Sequence, residues 1–305
     1  MWLIIVNSSI INHGLIILNV YVSVSRGGLK MKFYKMQGAG NDFIFVEDFN
    51  FEIKDECNLA KQLCNRHFGI GADGLVIVRK SDVSEAKMII INSDGSRANM
   101  CGNAIRCFGK YVYEKNIVDK TKFSVETGDG VKEIEIILED NKTKYVRVYM
   151  GEGSYNGADI PLNNLENLID KEVEVDGKVY KMTTVLVGVP HTIIFEENEN
   201  YDVEVDGSKI EKYKLFKEGT NVNFVKVIDD THIRVNTWER GAGATLACGT
   251  GCSASVLVSK KLGLVDKNKE VFVKAPGGEL IIEVLDEGLF MKGPAEFVFS
   301  GETSK

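Results

Sequence analysis

Two short motifs constrain this chain more than any other feature. Residues 99–107 read NMCGNAIRC and residues 246–254 read LACGTGCSA. In each, Cys-Gly and a polar residue (Cys101-Gly102-Asn103, Cys248-Gly249-Thr250) stand at the mouth of a stretch with helical apolar spacing. From Cys101 to Glu114, Ala104, Ile105, Phe108, Tyr111 and Val112 fall on one stripe. From Cys248 through Lys261, continuing to Leu262, the apolar positions are Ala254, Val256, Leu257 and Leu262. Short strand-like runs with glycine turns surround both helices. The same pattern 147 positions apart predicts an architectural repeat, each half mostly strand with one long helix, and no low-complexity linker separates the halves.

In the first half, MKFYKMQ and FIFVED flank the turn Gly38-Ala39-Gly40-Asn41-Asp42, and CNLAKQLCNRH (57–67) reads as a shorter helix. FGIGADGLVIV, MIIIN (88–92), KFSVET, KEIEIIL and TKYVRVYM read as strands or turn-plus-strand. In the second half, EVEVDGKVYKMTTVLVG is a strand pair about Asp176-Gly177, and GVPHTIIFE is a strand entered through Pro190. NVNFVKVIDD and HIRVNTWERG are strands, and EVFVKAPGGELIIEVLDEG is a hairpin or meander.

The cysteine pattern decides between chemistries. None of Cys57, Cys64, Cys101, Cys107, Cys248 and Cys252 forms Cys-x-x-Cys, and there are four histidines, so neither a zinc cage nor a dithiol redox motif is indicated. Six cysteines in 305 residues are not a disulfide scaffold, which predicts reduced thiols and a cytoplasmic protein. A net charge of −7 with no basic block disfavours nucleic acid and anionic membranes as partners. GAGAT (241–245) lacks the third glycine of a dinucleotide fingerprint and the Gly-Lys-Ser/Thr of a P-loop.

A thiol at a helix N-terminus meets free N–H groups and a partial positive charge, which lowers its pKa. The adjacent glycine lets the backbone approach a ligand, and the same amides hold a carboxylate. Two such mouths together would grip an amino-acid carboxylate with a sulfur on each face of Cα. One thiolate would remove the α-proton and the opposite thiol would supply another, inverting the centre. Either motif alone reads as packing, whereas the matched, glycine-flanked pair reads as chemistry. Cys57, Cys64 and Cys107 read as core, and Cys252 as packing beside Cys248. Asp42, Asp73 and Asp94 sit beside glycines and read as turn-makers; His67 and His232 read as structural.

Residues 1–30 differ from the rest. LIIVNSSIINHGLIILNVYVSV carries no charge, but Asn7, Asn12, His13 and Gly14 interrupt it, and it lacks a basic start and a small-residue cleavage site. The expectation is a dispensable N-terminal extension read through to an internal start at Met31.

MKFYKMQGAGNDFIFVED, RHFGIGADGLVIV, NSDGSRANMCGNAIRC, GVPHTIIF, GTNVNFVKV and WERGAGATLACGTG, in this order, resemble diaminopimelate epimerases, and the likeness runs from Met31 to KGPAEFVFSGE. The resemblance implies an α/β (α+β) fold of two pseudo-symmetric domains. Each would be a strongly curved, mostly antiparallel sheet wrapped around a central helix, with the active site in the cleft between them. The implied domains are 31–145 plus 294–305, and 146–293. It implies a cofactor-independent isomerase of lysine and cell-wall precursor biosynthesis, interconverting LL- and meso-diaminopimelate by a two-base thiol/thiolate mechanism, with no metal. By the same resemblance Cys101 and Cys248 are the acid/base pair. Gly102, Asn103, Gly249 and Thr250 hold the reacting carboxylate, while Asn41, Asn92, Asn221, Glu239 and Arg240 line the rest of the pocket. His191 and Glu239 assist the thiols. Arg240 is expected as a buried bidentate cation for the distal carboxylate, with Glu239 as counter-charge to an ammonium. The bland readings are a surface ion pair for Glu239 and Arg240, turns for the asparagines, and a loop cap for His191. The expected partners are an amino-acid substrate and, as an assembly, a homodimer.

The chain departs from the family pattern at three places. Val189 stands before Pro190-His191 where asparagine is usual, Ala244 follows Gly243 where glutamate is usual, and Gln37 replaces a frequent histidine. The first two remove polar groups from the distal part of the pocket. They keep open a racemase of the same fold acting on another amino acid, such as histidine or lanthionine. A non-catalytic binding protein is the remoter alternative, since it would have no need of both thiols.

Overall fold

From residue 30 onward, β-branched and aromatic residues alternate with polar ones between turns in the left-handed region, and the chain folds accordingly as ladders of short strands. The computed structural model describes residues 3–10, 16–23, 30–163, 165–196 and 201–304. Of the apolar N-terminal stretch, residues 1, 2, 11–15 and 24–29 lie outside the described residues. Its two described segments, β1 (Leu3–Ile10) and β2 (Ile16–Ser23), pair antiparallel. β2 meets the C-terminal strand β20 (Glu296–Ser304) at Asn19 and Ser300.

The chain divides into two compact units, Met1–Val146 with Ala295–Lys305, and Arg147–Pro294. In the first unit, β20 pairs antiparallel with β3 (Lys30–Gly38), and β3 with β4 (Asn41–Glu47). The β3–β4 turn is Ala39-Gly40, both at positive φ (52° and 82°), the two-residue geometry that suits the twist of a hairpin. Helix α1 (Glu56–Cys64), capped by Asp55, leads to β5 (Gly74–Arg79), which lies parallel to β4. β6 (Ala86–Asn92) returns antiparallel to β5, and the two-residue β7 (Arg97–Ala98) folds back on it. After helix α2 (Gly102–Glu114), β8 (Lys122–Thr127) runs parallel to β6 and pairs with β9 (Gly130–Glu139). β9 in turn pairs with β10 (Lys142–Gly151).

The second unit repeats this order. β11 (Lys171–Val175), β12 (Lys178–Val187) and β13 (Val189–Phe195) form an antiparallel run. Helix α3 (Val203–Glu211) leads to β14 (Asn221–Val227), parallel to β13. β15 (His232–Glu239) is antiparallel to β14, and β16 (Gly243–Thr245) folds back on β15. Helix α4 (Gly249–Lys261) precedes β17 (Val271–Ala275), parallel to β15, then β18 (Gly278–Leu285) and β19 (Gly288–Gly293). Even register is preserved: Ile90 opposes Ala98 in one unit, and Thr237 opposes Thr245, each 147 positions later, in the other.

Each sheet wraps its long helix. Every residue of α2 from Gly102 to Val112 is buried, so no side of that helix is left for solvent. Gly109 makes the fit possible, because a side-chain carbon there would lie 3.0 Å from Ile134 of β9 and from Val146 of β10. α4 is buried at ten of its thirteen positions, and its serines satisfy themselves by donating to carbonyls one turn back: Ser253 to Gly249, Ser255 to Gly251, Ser259 to Ser255. The predicted helix at 57–67 is shifted to Glu56–Cys64, because Asp55 accepts from the Asn58 N–H and fixes the start.

Candidate active site

The two long helices begin alike. Cys101 and Cys248 are the N-cap residues, both in extended conformation, and neither caps its helix with a side-chain hydrogen bond. Asp55 and Asp202, by contrast, cap α1 and α3 with their carboxylates. A cysteine in the cap position leaves the first-turn amides for another acceptor.

In the first unit, Cys101 is half-buried, and its thiol lies 3.7 Å from Asn41 Oδ1. Asn103 Nδ2 reaches the same oxygen at 3.5 Å, so Cys101, Asn103 and Asn41 form one group with Gly102. The Asn41 amide donates to Asp73 at 2.5 Å, which holds the tip of the β3–β4 hairpin. Asp73 and Asp42 share Arg66, each at 2.7 Å, and Lys35 reaches Asp42 at 2.6 Å. Burial acts to raise the Asp42 pKa, but the hydrogen bonds and charges of Arg66 and Lys35 prevail and hold it well below the usual carboxylate range. Asp42 and Asp73 therefore do more than make turns: with Arg66 they fix the asparagine beside Cys101. The arginine and aspartate flanking FGIGA were the available signal. Asn92 is exposed and donates to Ser96 within its own turn.

In the second unit, Cys248 is buried and its sulfur lies 3.4 Å from the Thr250 hydroxyl. The expectation of a lowered thiol pKa does not hold here. Burial drives the Cys248 pKa well above the ordinary thiol value, and the charge of Glu239 adds to it. The Thr250 hydroxyl and the Gly251 N–H act the other way and lose. Cys248 is thus a protonated thiol at rest. Glu239 accepts from Thr245 at 2.6 Å. His191, Asn221 and Glu239 occupy the same end of three adjacent strands: His191 pairs with Asn221 in the parallel β13–β14 register, and Glu239 closes β15. Asn221 accepts from the Arg240 N–H at 2.7 Å. Arg240 itself is exposed, not buried as expected, and its guanidinium donates to Glu218 O at 2.6 Å rather than to Glu239. It follows the end of β15, where the chain turns through Gly241 (φ 78°). Val189 and Ala244 are both exposed.

His191 is fully buried. Its Nδ1 lies 3.2 Å from the Asn223 amide, and its Nε2 has no hydrogen-bond partner among the described residues. Burial, with the charge of Arg240 behind it, pushes the His191 pKa down to about 3, so the ring is neutral at physiological pH. The linkage has a definite sign. The unfolded ring takes its proton near 6.5 and the folded ring only near 3, so stability is full above pH 6.5 and declines as pH falls toward 3. Between pH 7 and pH 5 this amounts to about 2 kcal/mol. Urea unfolding of wild type and His191→Gln at both pH values should show the pH-dependent loss smaller by that amount in the variant. Equal losses would mean that His191 accepts a proton in the folded state.

Asn223 and Thr237 were not singled out from the sequence. Asn221 and Asn223 share a strand face by simple alternation, which was the available signal. Cys64 and Cys107, read as core, are buried, and burial pushes both thiols up to about 12. Cys252 is buried one turn beyond Cys248. None of the six cysteines is disulfide-bonded. Among the described residues no cluster of His, Cys, Asp and Glu could hold a metal ion, and no helix is long and apolar enough to cross a membrane.

A family model described as diaminopimelate epimerase matches residues 33–155 and 183–298. A diaminopimelate epimerase of Clostridium perfringens is 55% identical over 272 residues, covering 89% of this chain and 98% of that protein. Those of Caldanaerobacter subterraneus and Methanococcus maripaludis are 50% and 45% identical, each over 89% of this chain and 99% of the relative. Among solved structures, a probable proline racemase of Agrobacterium radiobacter superposes with a TM-score of 0.67 at 13% identity, over 88% of this chain and 92% of that one. A hydroxyproline epimerase of Agrobacterium vitis gives 0.62 at 13% identity, over 90% and 92%. At that identity the two structures speak for the fold alone.

Proposed function

Because the chain belongs to the diaminopimelate epimerase family, we infer that it is an isomerase that interconverts LL- and meso-diaminopimelate, a step of lysine biosynthesis. The mechanism we propose is two-base and needs no cofactor. The observation that carries it is the matched pair of cysteines at uncapped helix mouths. A thiolate takes the α-proton, so that Cα–H breaks and S–H forms. The opposite thiol then gives its proton to the other face, leaving a thiolate there. The charge that develops on the carboxylate is met by first-turn amides at Gly102, Asn103, Gly249 and Thr250. The resting protonation of Cys248 supports its acting first as the acid, with Cys101 as the base; the reverse reaction exchanges the roles. Glu239 supports this by keeping the Cys248 proton in place. Two thiols that must stay reduced suit a cytoplasmic enzyme.

We assign the distal carboxylate to Arg240. A single charge-assisted hydrogen bond is worth roughly 1.5–3 kcal/mol, and the exposure of Arg240 favours the lower end, about tenfold in kcat/KM. The test is solvent-deuterium incorporation at Cα across LL- and meso-diaminopimelate, lanthionine, histidine, glutamate and proline. Diaminopimelate should exceed any mono-carboxylate by at least about tenfold, and Arg240→Met should erase most of that margin. Val189 and Ala244, where the family usually carries polar residues, favour a second reading, a racemase of another amino acid. Faster exchange into histidine, or diaminopimelate turnover spared by Arg240→Met, would establish it instead.

A further inference from the structure

His191 is buried with one ring nitrogen engaged and the other without a partner among the described residues, and the engaged side is fully specified by its neighbours. Asn223 stands opposite Thr237 in the β14–β15 register, and its Oδ1 accepts from the Thr237 hydroxyl at 3.0 Å. Its Nδ2 lies 3.2 Å from His191 Nδ1 and 3.4 Å from the Thr192 main-chain carbonyl. A hydroxyl can give or take a proton, so Thr237 alone would not fix which way the amide points. A main-chain carbonyl can only accept, so the Asn223 NH2 group must be the part facing Thr192. That same NH2 then donates to His191 Nδ1, which must present its lone pair. In a neutral ring the proton is left on Nε2.

We propose that Asn223 and Thr237 are positioning residues that lock His191 as the neutral Nε2–H tautomer, making its open edge a hydrogen-bond donor and not a base. The inference deepens the two-thiol reading and rests on it for its role in catalysis. The α-proton then travels only between Cα and sulfur. The imidazole takes no proton at any step; its Nε2–H meets an anionic acceptor, a thiolate or the substrate carboxylate, when one is present. A buried donor without an acceptor is unfavourable, so the open edge suits such a group. The amide is also tied to the α4 mouth. A side-chain carbon on Gly251 would lie 2.4 Å from Asn223 Oδ1 and 3.3 Å from Cys248 Sγ, so only glycine lets the first turn of α4 close against the locked amide.

The tautomer is read directly by long-range proton–nitrogen correlation spectra of the 15N-labelled full chain at neutral pH. The chain has four histidines, and His191→Gln identifies the relevant set. The expected pattern is an unprotonated Nδ1 and a protonated Nε2. A protonated Nδ1, or an imidazolium, overturns the proposal on wild type alone, whether or not any variant folds. Asn223→Asp replaces the donor by an acceptor and should move the proton to Nδ1. The kcat for deuterium exchange into diaminopimelate should then fall by about 10²–10³-fold, the range for losing one preorganised hydrogen-bond donor, with KM changed little. Thr237→Ser, which keeps the hydroxyl, should retain both the spectrum and the rate. An Asn223→Asp protein with the proton on Nδ1 and an undiminished kcat would sink the role. Wild-type protein with the expected spectrum but no exchange into any amino acid would instead sink the epimerase reading and leave the tautomer assignment standing.

Discussion

Cys101→Ala and Cys248→Ala should each abolish epimerisation while leaving the fold in place. Inversion needs a proton removed from one face of Cα and another delivered to the opposite face. Loss of one general acid or base typically lowers the rate by ~10²–10⁴-fold, and here no second route to the same face is proposed. The structural effect should be small, since each change removes a single sulfur that does not cap its helix through a side-chain hydrogen bond. The measurement is the rate of LL-to-meso conversion beside a far-UV spectrum and a thermal midpoint. A folded single variant that inverts diaminopimelate at a near wild-type rate ends the two-thiol mechanism.

The largest effect on stability is expected from Arg79→Met. Arg79 lies between two carboxylates, Asp48 at 2.5 Å and Glu56 at 2.6 Å, and all three side chains are at most 10% exposed. Removing the guanidinium strands buried negative charge, a change that typically costs about 3–5 kcal/mol. Arg97 also contacts Glu56, but its side chain is 59% exposed, so Arg97→Met should cost no more than about 1 kcal/mol. Denaturant unfolding of the two variants separates the cases. Similar small losses would show that water reaches the Asp48–Glu56 pair and screens it.

Much of this architecture is legible in the residues themselves. The mouths of α2 and α4 follow from Cys-Gly before an apolar stripe, and the β3–β4 and β11–β12 hairpins from Ala39-Gly40 and Asp176-Gly177, whose positive φ values their turn types require. α3 was not legible. VEVDGSKIE holds three β-branched residues and a glycine, a poor helix by propensity. It forms because Asp202 accepts from two first-turn amides, and because Gly207 lies so close to Trp238 that a side-chain carbon would come within 2.5 Å. β7 and β16, at two and three residues, are too short for any periodicity to register. At the site, the cysteines were legible as a matched pair, but the raised pKa of Cys248 was not, because it depends on burial and on Glu239, which no local pattern encodes. The exposure of Arg240 and the amide lock on His191 are likewise products of three strands meeting.

The return of the last strand has a consequence for how this protein is made. Residues Arg147–Pro294 form an uninterrupted unit, so all of its strands are available as soon as they leave the ribosome. The first unit is different: β3 takes the much later β20 as its neighbour, and Phe299 then packs edge-on against Phe33. During synthesis, β3 waits with one edge unpaired while some 250 residues are added, an interval of roughly ten seconds to a minute at ordinary elongation rates. An unpaired strand edge is a template for the wrong partner. The unit that holds β3 is therefore finished after the unit lying within it, and its exposure to misassembly is set by the interval between β3 and β20.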